Sequence, residues 1–402
     1  MLPARARIPF LLQPPFYLYL YFFFLVTCLN QELHFLTRIH FELLLIVASL
    51  VTLVLDLWIF RRYTIPNGTQ LLLGLCLLLM GMPLLSSIAN DHYLTILHNQ
   101  EYRSWVKMLL AAPVLYIVLG QSGRENFLNV IFMTLATLAI IFIYRFYVLH
   151  EVREFDLRPL LHIKNGDPNF LSILFGAPLP IVLYRIFSAE SILKRVLYGG
   201  LFMLLLGCAV ATESRMGVIA VLVGFLTLIR YVPGRLRTTA LWVLLGVVLF
   251  AAFYDWERFS DFADESNRMR WRSIVTGLSL FSQNPFLGFG WDTASYYFYQ
   301  VTGYPRLLSE TFPLNVHNTP IQLLAELGFF GFAVYISVLM FTFWRVLSQR
   351  SPMGKYLMAC LVILFLNLLT LPLLTKDFVI LFLVMISTLA LYEEPEIHTH
   401  RV

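Results

Sequence analysis

The sequence predicts an all-α polytopic membrane protein, and three observations carry that expectation. Hydrophobic residues make up 59% of the chain and charged residues only 13%, whereas soluble domains run at about 25% charged. Mean hydropathy is +0.74. Apolar stretches of the length a hydrocarbon core requires, ~20 residues per helix, recur from end to end.

By that measure the chain holds about twelve spans, at 16–30, 41–60, 69–89, 104–120, 126–149, 168–187, 194–212, 216–232, 238–254, 319–347, 354–374 and 376–392. They divide the chain into an N-terminal transmembrane bundle (1–254, about nine spans), a large loop (255–315), C-terminal transmembrane helices (316–392) and a tail (393–402). Lys and Arg set the orientation. Arg5 and Arg7, Arg61 and Arg62, Lys194 and Arg195, Arg230, Arg235 and Arg237, then Arg345, Arg350 and Lys355 fall in alternate loops. The positive-inside rule puts those loops and both termini in the cytoplasm, and the 255–315 loop outside. The net charge of +5 therefore reflects orientation and gives no argument for nucleic acid. No small-residue cleavage site follows the first apolar run, so no signal peptide is expected. Cys28, Cys76, Cys208 and Cys360 lie in apolar spans without CxxC spacing, so neither a disulfide nor a metal site is expected.

The large loop has structure of its own. Trp271, Ile274, Val275, Leu278 and Phe281 recur at helical spacing, which predicts an amphipathic helix over 268–283, ended by Asn284-Pro285. Gly288-Phe289-Gly290 reads as a flexible turn. The aromatic run Tyr296-Tyr297-Phe298-Tyr299 suits the membrane interface or stacking on sugar faces. His317-Asn318 then precedes Thr319-Pro320, which should open the next span because Pro is favoured in a first turn.

His317 leads the candidates for chemistry. An ionisable residue at the mouth of a membrane helix is a functional candidate by default. The helix dipole disfavours imidazolium there, and a neutral imidazole can take a proton. The bland alternative is a capping histidine that only bonds backbone. Asn318 sets an amide beside it. Arg215, in Glu213-Ser214-Arg215-Met216-Gly217, sits where two spans meet with almost no loop. Its planar fork of donors matches phosphate oxygens; the alternative is a snorkelling arginine paired with Glu213. Arg268, Arg270 and Arg272 crowd the start of the amphipathic helix. Helical spacing puts Arg268 and Arg272 on one side and Arg270 on the other, so the three are not expected to serve one ligand. Asp167 and Asn169, around Pro168, are ordinary helix-start residues. Lys107, Arg145 and Asp56 read as internal pairs or snorkelling anchors. The remaining histidines lack the spacing of a helical metal site.

Two short motifs and two longer ones now carry a resemblance. His317-Asn318, then Gly328 and Gly331, is similar to the H-[NSQ]-x9-G-x-x-G signature of the O-antigen ligase family. Asn267–Trp271 followed by Asn284-Pro285-Phe286-Leu287-Gly288-Phe289-Gly290 resembles its upstream segment. Ser214-Arg215-Met216-Gly217 resembles its Ser-Arg-Gly turn with Met216 inserted, and Asp167-Pro168-Asn169-Phe170-Leu171 its Asp-Pro-Asn start. The resemblance covers about 165–331 and implies a GT-C-like, metal-independent, inverting glycosyltransferase of the bacterial inner membrane, working on the periplasmic side without cofactors. It implies transfer of O-antigen from undecaprenyl diphosphate to lipid A-core oligosaccharide. His317 would be the base. Arg215 and Arg268 or Arg270 would hold diphosphate beside Asn318, with Asp167, Asn169, Glu213 and Tyr296 in support. An O-antigen polymerase, which joins repeat units that both stay lipid-linked, shares these features. Protein O-oligosaccharyltransferases usually carry a longer C-terminal region than the ten or so residues expected after the last span here. A transporter of lipid-linked sugars would instead call for midplane charges and broken helices.

Overall fold

Helix starts follow local capping chemistry. The computed structural model describes residues 13–27, 29, 36, 39–60, 63–66, 68–91, 96, 99–119, 124–152, 167–229, 265–294, 297, 316–349, 351–371 and 377–390. Every regular element among them is a helix: α1 (Pro14–Thr27), α2 (Phe41–Leu55, extended by a π-turn at Asp56–Phe60), α3 (Thr69–Ala89), α4 (Gln100–Leu119), α5 (Arg124–Ile143, extended by a π-turn at Tyr144–Val148), α6 (Pro168–Gly176), α7 (Leu179–Ser188), α8 (Ile192–Ala211), α9 (Arg215–Ile229), α10 (Glu265–Gln283), α11 (Thr319–Leu347), α12 (Pro352–Leu368) and α13 (Asp377–Leu389). Asp167 caps α6 by accepting from Asn169 N, Ser191 caps α8 through Lys194 N, and Asn318 caps α11 through Ile321 N. Each satisfies one of the orphan donors of a first turn.

Among the described residues seven segments are long and apolar enough to cross a membrane, and α1, α9 and α12 are shorter apolar helices. The span expected at 238–254 lies outside the described residues. The span expected at 168–187 is two helices, α6 and α7. They meet at Ala177-Pro178, with Pro180 following, and proline has no N–H to continue the ladder.

α9 packs along α12, where Gly224 lies against Ile363 and the Ala359 carbonyl. α11 packs on α3, α12 and α13, and α4 fits between α3 and α13. α2 and α8 lie at the rim and expose apolar rows: Leu43, Leu44, Val47 and Val51 on one, Ile192, Leu193, Val196 and Leu197 on the other. A bilayer covers such rows. Three ion pairs are seen among the described residues of this frame: Lys107 with Glu42 at 2.8 Å, Arg145 with Glu151 at 3.1 Å, and Arg185 with Glu125. For Lys107 and Arg145 the internal-pair expectation holds. Cys76, Cys208 and Cys360 are buried thiols outside any disulfide.

The loop after α10 is not a flexible turn. α11 breaks at Gly328, whose backbone sits at φ 66°, ψ −168°. In an unbroken helix Phe329 N would bond Ala325 O and Phe330 N would bond Glu326 O. Instead Phe329 N donates to Pro285 O (2.8 Å) and Phe330 N to Phe286 O (3.3 Å), while Phe289 N donates to Ala325 O (3.0 Å) and Gly290 N to Glu326 O (2.9 Å). The loop supplies both halves of the missing ladder. Non-helical backbone is tolerated at membrane depth where protein buries and satisfies it. The same loop is braced from the side. Asn90 Nδ2 and Asn284 Nδ2 both donate to Gly288 O, and Ser86 Oγ donates to Glu326 O. Trp291 is buried against Tyr102 and Trp105 of α4.

Candidate functional site

α10 carries the arginines to His317. Ser273 Oγ accepts from His317 N at 3.2 Å and donates to Arg270 O at 2.7 Å. One turn on, Gly277 lies against Ile321 and Val316, so α10 and the first half of α11 run side by side in the same direction. Gly277 makes this possible, since a Cβ there would meet the Ile321 side chain. Contact through Ser273 and Gly277 decides among the three arginines. Arg270 shares that flank and is half-buried, whereas Arg268 and Arg272 are exposed. The expected split of Arg270 from the other two is therefore present, and Arg270 is the one whose backbone shares Ser273 with His317.

His317 sits one residue before the cap of α11. Asn318 uses its Oδ1 on Ile321 N and its Nδ2 on Leu369 O (2.7 Å), and Thr319 Oγ1 donates to Leu371 O (2.7 Å). These bonds pin the His317 segment to the end of α12 and satisfy carbonyls that a helix C-terminus leaves open. Asn318 is thus engaged in structure at both ends of its amide.

The second group forms at the other side of α12. Ser214 caps α9, its Oγ accepting from Gly217 N (3.3 Å) and donating to Asn169 Oδ1 (3.1 Å). Asp167 accepts from Asn169 N (2.8 Å), and Gly217 allows α6 to approach, because a Cβ there would land on Ser172. Glu213 holds the turn in the left-handed region, at φ 53°. The two separate motifs around Asp167 and Arg215 are therefore one joint. Arg215 is the first residue of α9 and half-buried. From Gly224 it rises about 13 Å along α9, and Leu371 rises about 12 Å from Ile363 along the antiparallel α12. Arg215 and the His317 cap thus lie at one end of the bundle, flanking the end of α12. Tyr296 lies outside the described residues.

Residues 200–336 match the family model described as O-Antigen ligase. That stretch is similar to the O-antigen ligase family. No curated protein matches the chain significantly. The matched stretch holds Arg215, α10, the inserted loop, His317 and the α11 break, so the resemblance to the ligase/polymerase superfamily rests on the residues that build this site.

Within the matched stretch one group escapes a motif reading. Glu326 is 1% exposed, about 10 Å into α11. Its carboxylate accepts from Asp292 N (3.1 Å) and Gln322 Nε2 (3.2 Å). Asp292, held at φ 60°, accepts through Oδ2 from Asn99 Nδ2 at 3.1 Å. Burial pushes the Asp292 carboxyl upward, against the lowering effect of the Asn99 bond. The available signal was a lone Glu inside an apolar run, with Gln322 one turn before it; an acid in a spanning segment calls for an explanation by itself. Asp292 and Asn99 gave no such signal, because their role depends on the loop folding inward.

Proposed function

We propose that this chain is a glycosyltransferase that moves a glycan from a polyprenyl diphosphate to a lipid-borne hydroxyl acceptor, as an O-antigen ligase working on lipid A-core. The observation that supports this reading is the Ser273 bridge, which ties the backbone at Arg270 to the backbone at His317. An imidazole and a permanent cation carried on adjoining backbone segments suit this chemistry. His317 takes the proton of the acceptor hydroxyl as its oxygen attacks the anomeric carbon. The bond from that carbon to the diphosphate oxygen breaks, and the electron pair leaves with the diphosphate. Arg270 and Arg215 offer fixed positive charge where the leaving group gathers negative charge. Attack opposite the leaving group inverts the anomeric centre. The reaction needs no metal in this reading, and the acceptor side faces the periplasm.

A polymerase would use the same groups on a lipid-linked acceptor. The transporter reading gains a broken helix and a buried acid in α11, both of which it calls for. However, the chain's own loop fills that break, with four backbone hydrogen bonds, and the Glu326 carboxylate receives two donors. Those features fit a plug better than a passage. The test is transfer by purified protein in lipid, given an undecaprenyl-diphosphate glycan with and without lipid A-core. Glycan on lipid A-core supports the ligase; lengthened lipid-linked glycan alone supports the polymerase; neither product removes the enzymatic reading.

A further inference from the structure

We infer that Glu326 is a positioning residue: its side chain clasps the inserted loop and thereby holds Arg270 in register with His317. The inference rests on the proposed transfer reaction for its functional consequence, but the clasp itself does not.

The geometry is that of a strut fixed at two ends. At the upper end Ser273 bonds His317 N. At the lower end the loop from Pro285 to Gly290 is laddered to Ala325, Glu326, Phe329 and Phe330. From the contact of Gly277 with Ile321, six residue steps carry α10 to Gln283 and six carry α11 to Leu327. Both are about 9 Å of helix at 1.5 Å per residue. Two parallel rods of equal length, joined at both ends, have one register. A slip of a single residue would turn α10 by about 100° and carry Arg270 off the His317 flank.

Backbone bonds alone leave the loop able to peel away, because the carbonyls of Ala325 and Glu326 could be met by other donors. The Glu326 side chain adds what the ladder lacks. It takes the N–H of Asp292, two residues past the last ladder bond, at 3.1 Å. Asp292 holds a left-handed backbone at this bond, at φ 60°. An Asp in that conformation is strained relative to Gly and persists where surroundings over-determine it. Asn99, just before α4 and bonded to its first turn, fixes the Asp292 side chain, and Trp291 beside it is wedged against Trp105. Glu326 thus ties together the loop, α11 and, through Asp292, α4. A buried carboxylate is costly in a bundle of this kind, and a merely packing residue at this position would be apolar.

Gln322 provides the control. Its Oε1 is buried without a hydrogen-bond partner among the described residues, while its Nε2 donates to Glu326. In Glu326→Gln the new amide can keep Asp292 N on its oxygen and present its NH2 to Gln322, whose own amide turns over to accept. The clasp survives without charge. In Glu326→Ala it is lost.

The experiment compares wild type, Glu326→Gln and Glu326→Ala in lipid nanodiscs by amide hydrogen exchange over 285–294 and by transfer kinetics. Glu326→Ala should exchange at least about tenfold faster there, and its kcat should fall by about tenfold or more. A misplacement of 1 Å can reach 10²-fold. KM for the lipid-linked donor should change little, and Glu326→Gln should stay within about threefold of wild type on each readout. Unchanged exchange in Glu326→Ala would overturn the clasp. Faster exchange with unchanged kcat would overturn the positioning role and leave the proposed function standing. Equal loss in Glu326→Gln would also overturn it, because charge rather than the clasp would then be the requirement. If wild type transfers nothing, the functional reading fails while the exchange result still decides the clasp.

Discussion

Gly328→Ala should disconnect the inserted loop from α11, and the structure allows its size to be worked out. Gly328 sits at φ 66°, ψ −168°, a region essentially reserved for glycine, where another residue pays about 1–3 kcal/mol. A Cβ there would also land on the Phe286 carbonyl group and Leu287 N. Those atoms are backbone, so the loop itself must move. Moving it threatens the bonds from Phe329 N to Pro285 O and from Phe330 N to Phe286 O, each worth about 0.5–1.5 kcal/mol net. Strain and two lost bonds together come to about 2–6 kcal/mol. Gly81→Ala is the matched control, since nothing lies within 4 Å of its added Cβ. In a helix interior that change stabilises by about 1 kcal/mol or less. Thermal unfolding of both variants in the same detergent, with exchange over 285–290 as the local readout, separates the two effects. A Gly328→Ala protein with the wild-type midpoint and unchanged protection of the loop would refute the ladder as a source of stability.

Arg270→Ala should lower kcat by about 10²-fold, as loss of a charge-stabilising donor does, while Arg268→Ala and Arg272→Ala stay within a few-fold; equal effects across the three, measured as transfer rates, would break the link to Ser273. Arg215→Lys should be impaired although it keeps its charge, because the planar fork is gone, and full activity there would mark Arg215 as an anchor. Asp292→Asn should alter stability against pH. Burial raises the folded-state Asp292 carboxyl above its unfolded value, so the folded state binds more protons and wild-type stability falls as pH rises through that window. Asn keeps an acceptor for Asn99 and removes the titration, so its midpoint should be flatter with pH and no lower than wild type near neutrality; an unchanged slope would exclude Asp292 as the source.

Much of the frame was legible because hydrophobic length and caps are local properties. Asp167, Asn318 and Pro320 mark their helix starts, and 69–89 and 319–347 stand as expected. The split at Ala177-Pro178 was hidden by continuous apolarity across two prolines. The candidate residues were legible as types, and His317, Arg270 and Arg215 do fall at one end of the bundle. What could not be read was connection. Ser273 and Ser214 are plain serines until a partner helix arrives, and each then joins two motifs that are far apart in the chain. Gly288 and Gly290 read as flexibility because glycine permits it. The structure uses the same freedom to bring one backbone against another, where α11 has given up its own ladder.

The most direct test of the central claim is transfer to lipid A-core by the reconstituted protein, wild type against His317→Ala, with both shown to be folded by thermal unfolding. The account predicts glycan-bearing lipid A-core from wild type and none from His317→Ala at equal stability. Undiminished product from His317→Ala would contradict it and leave His317 as a residue that only shapes the start of α11.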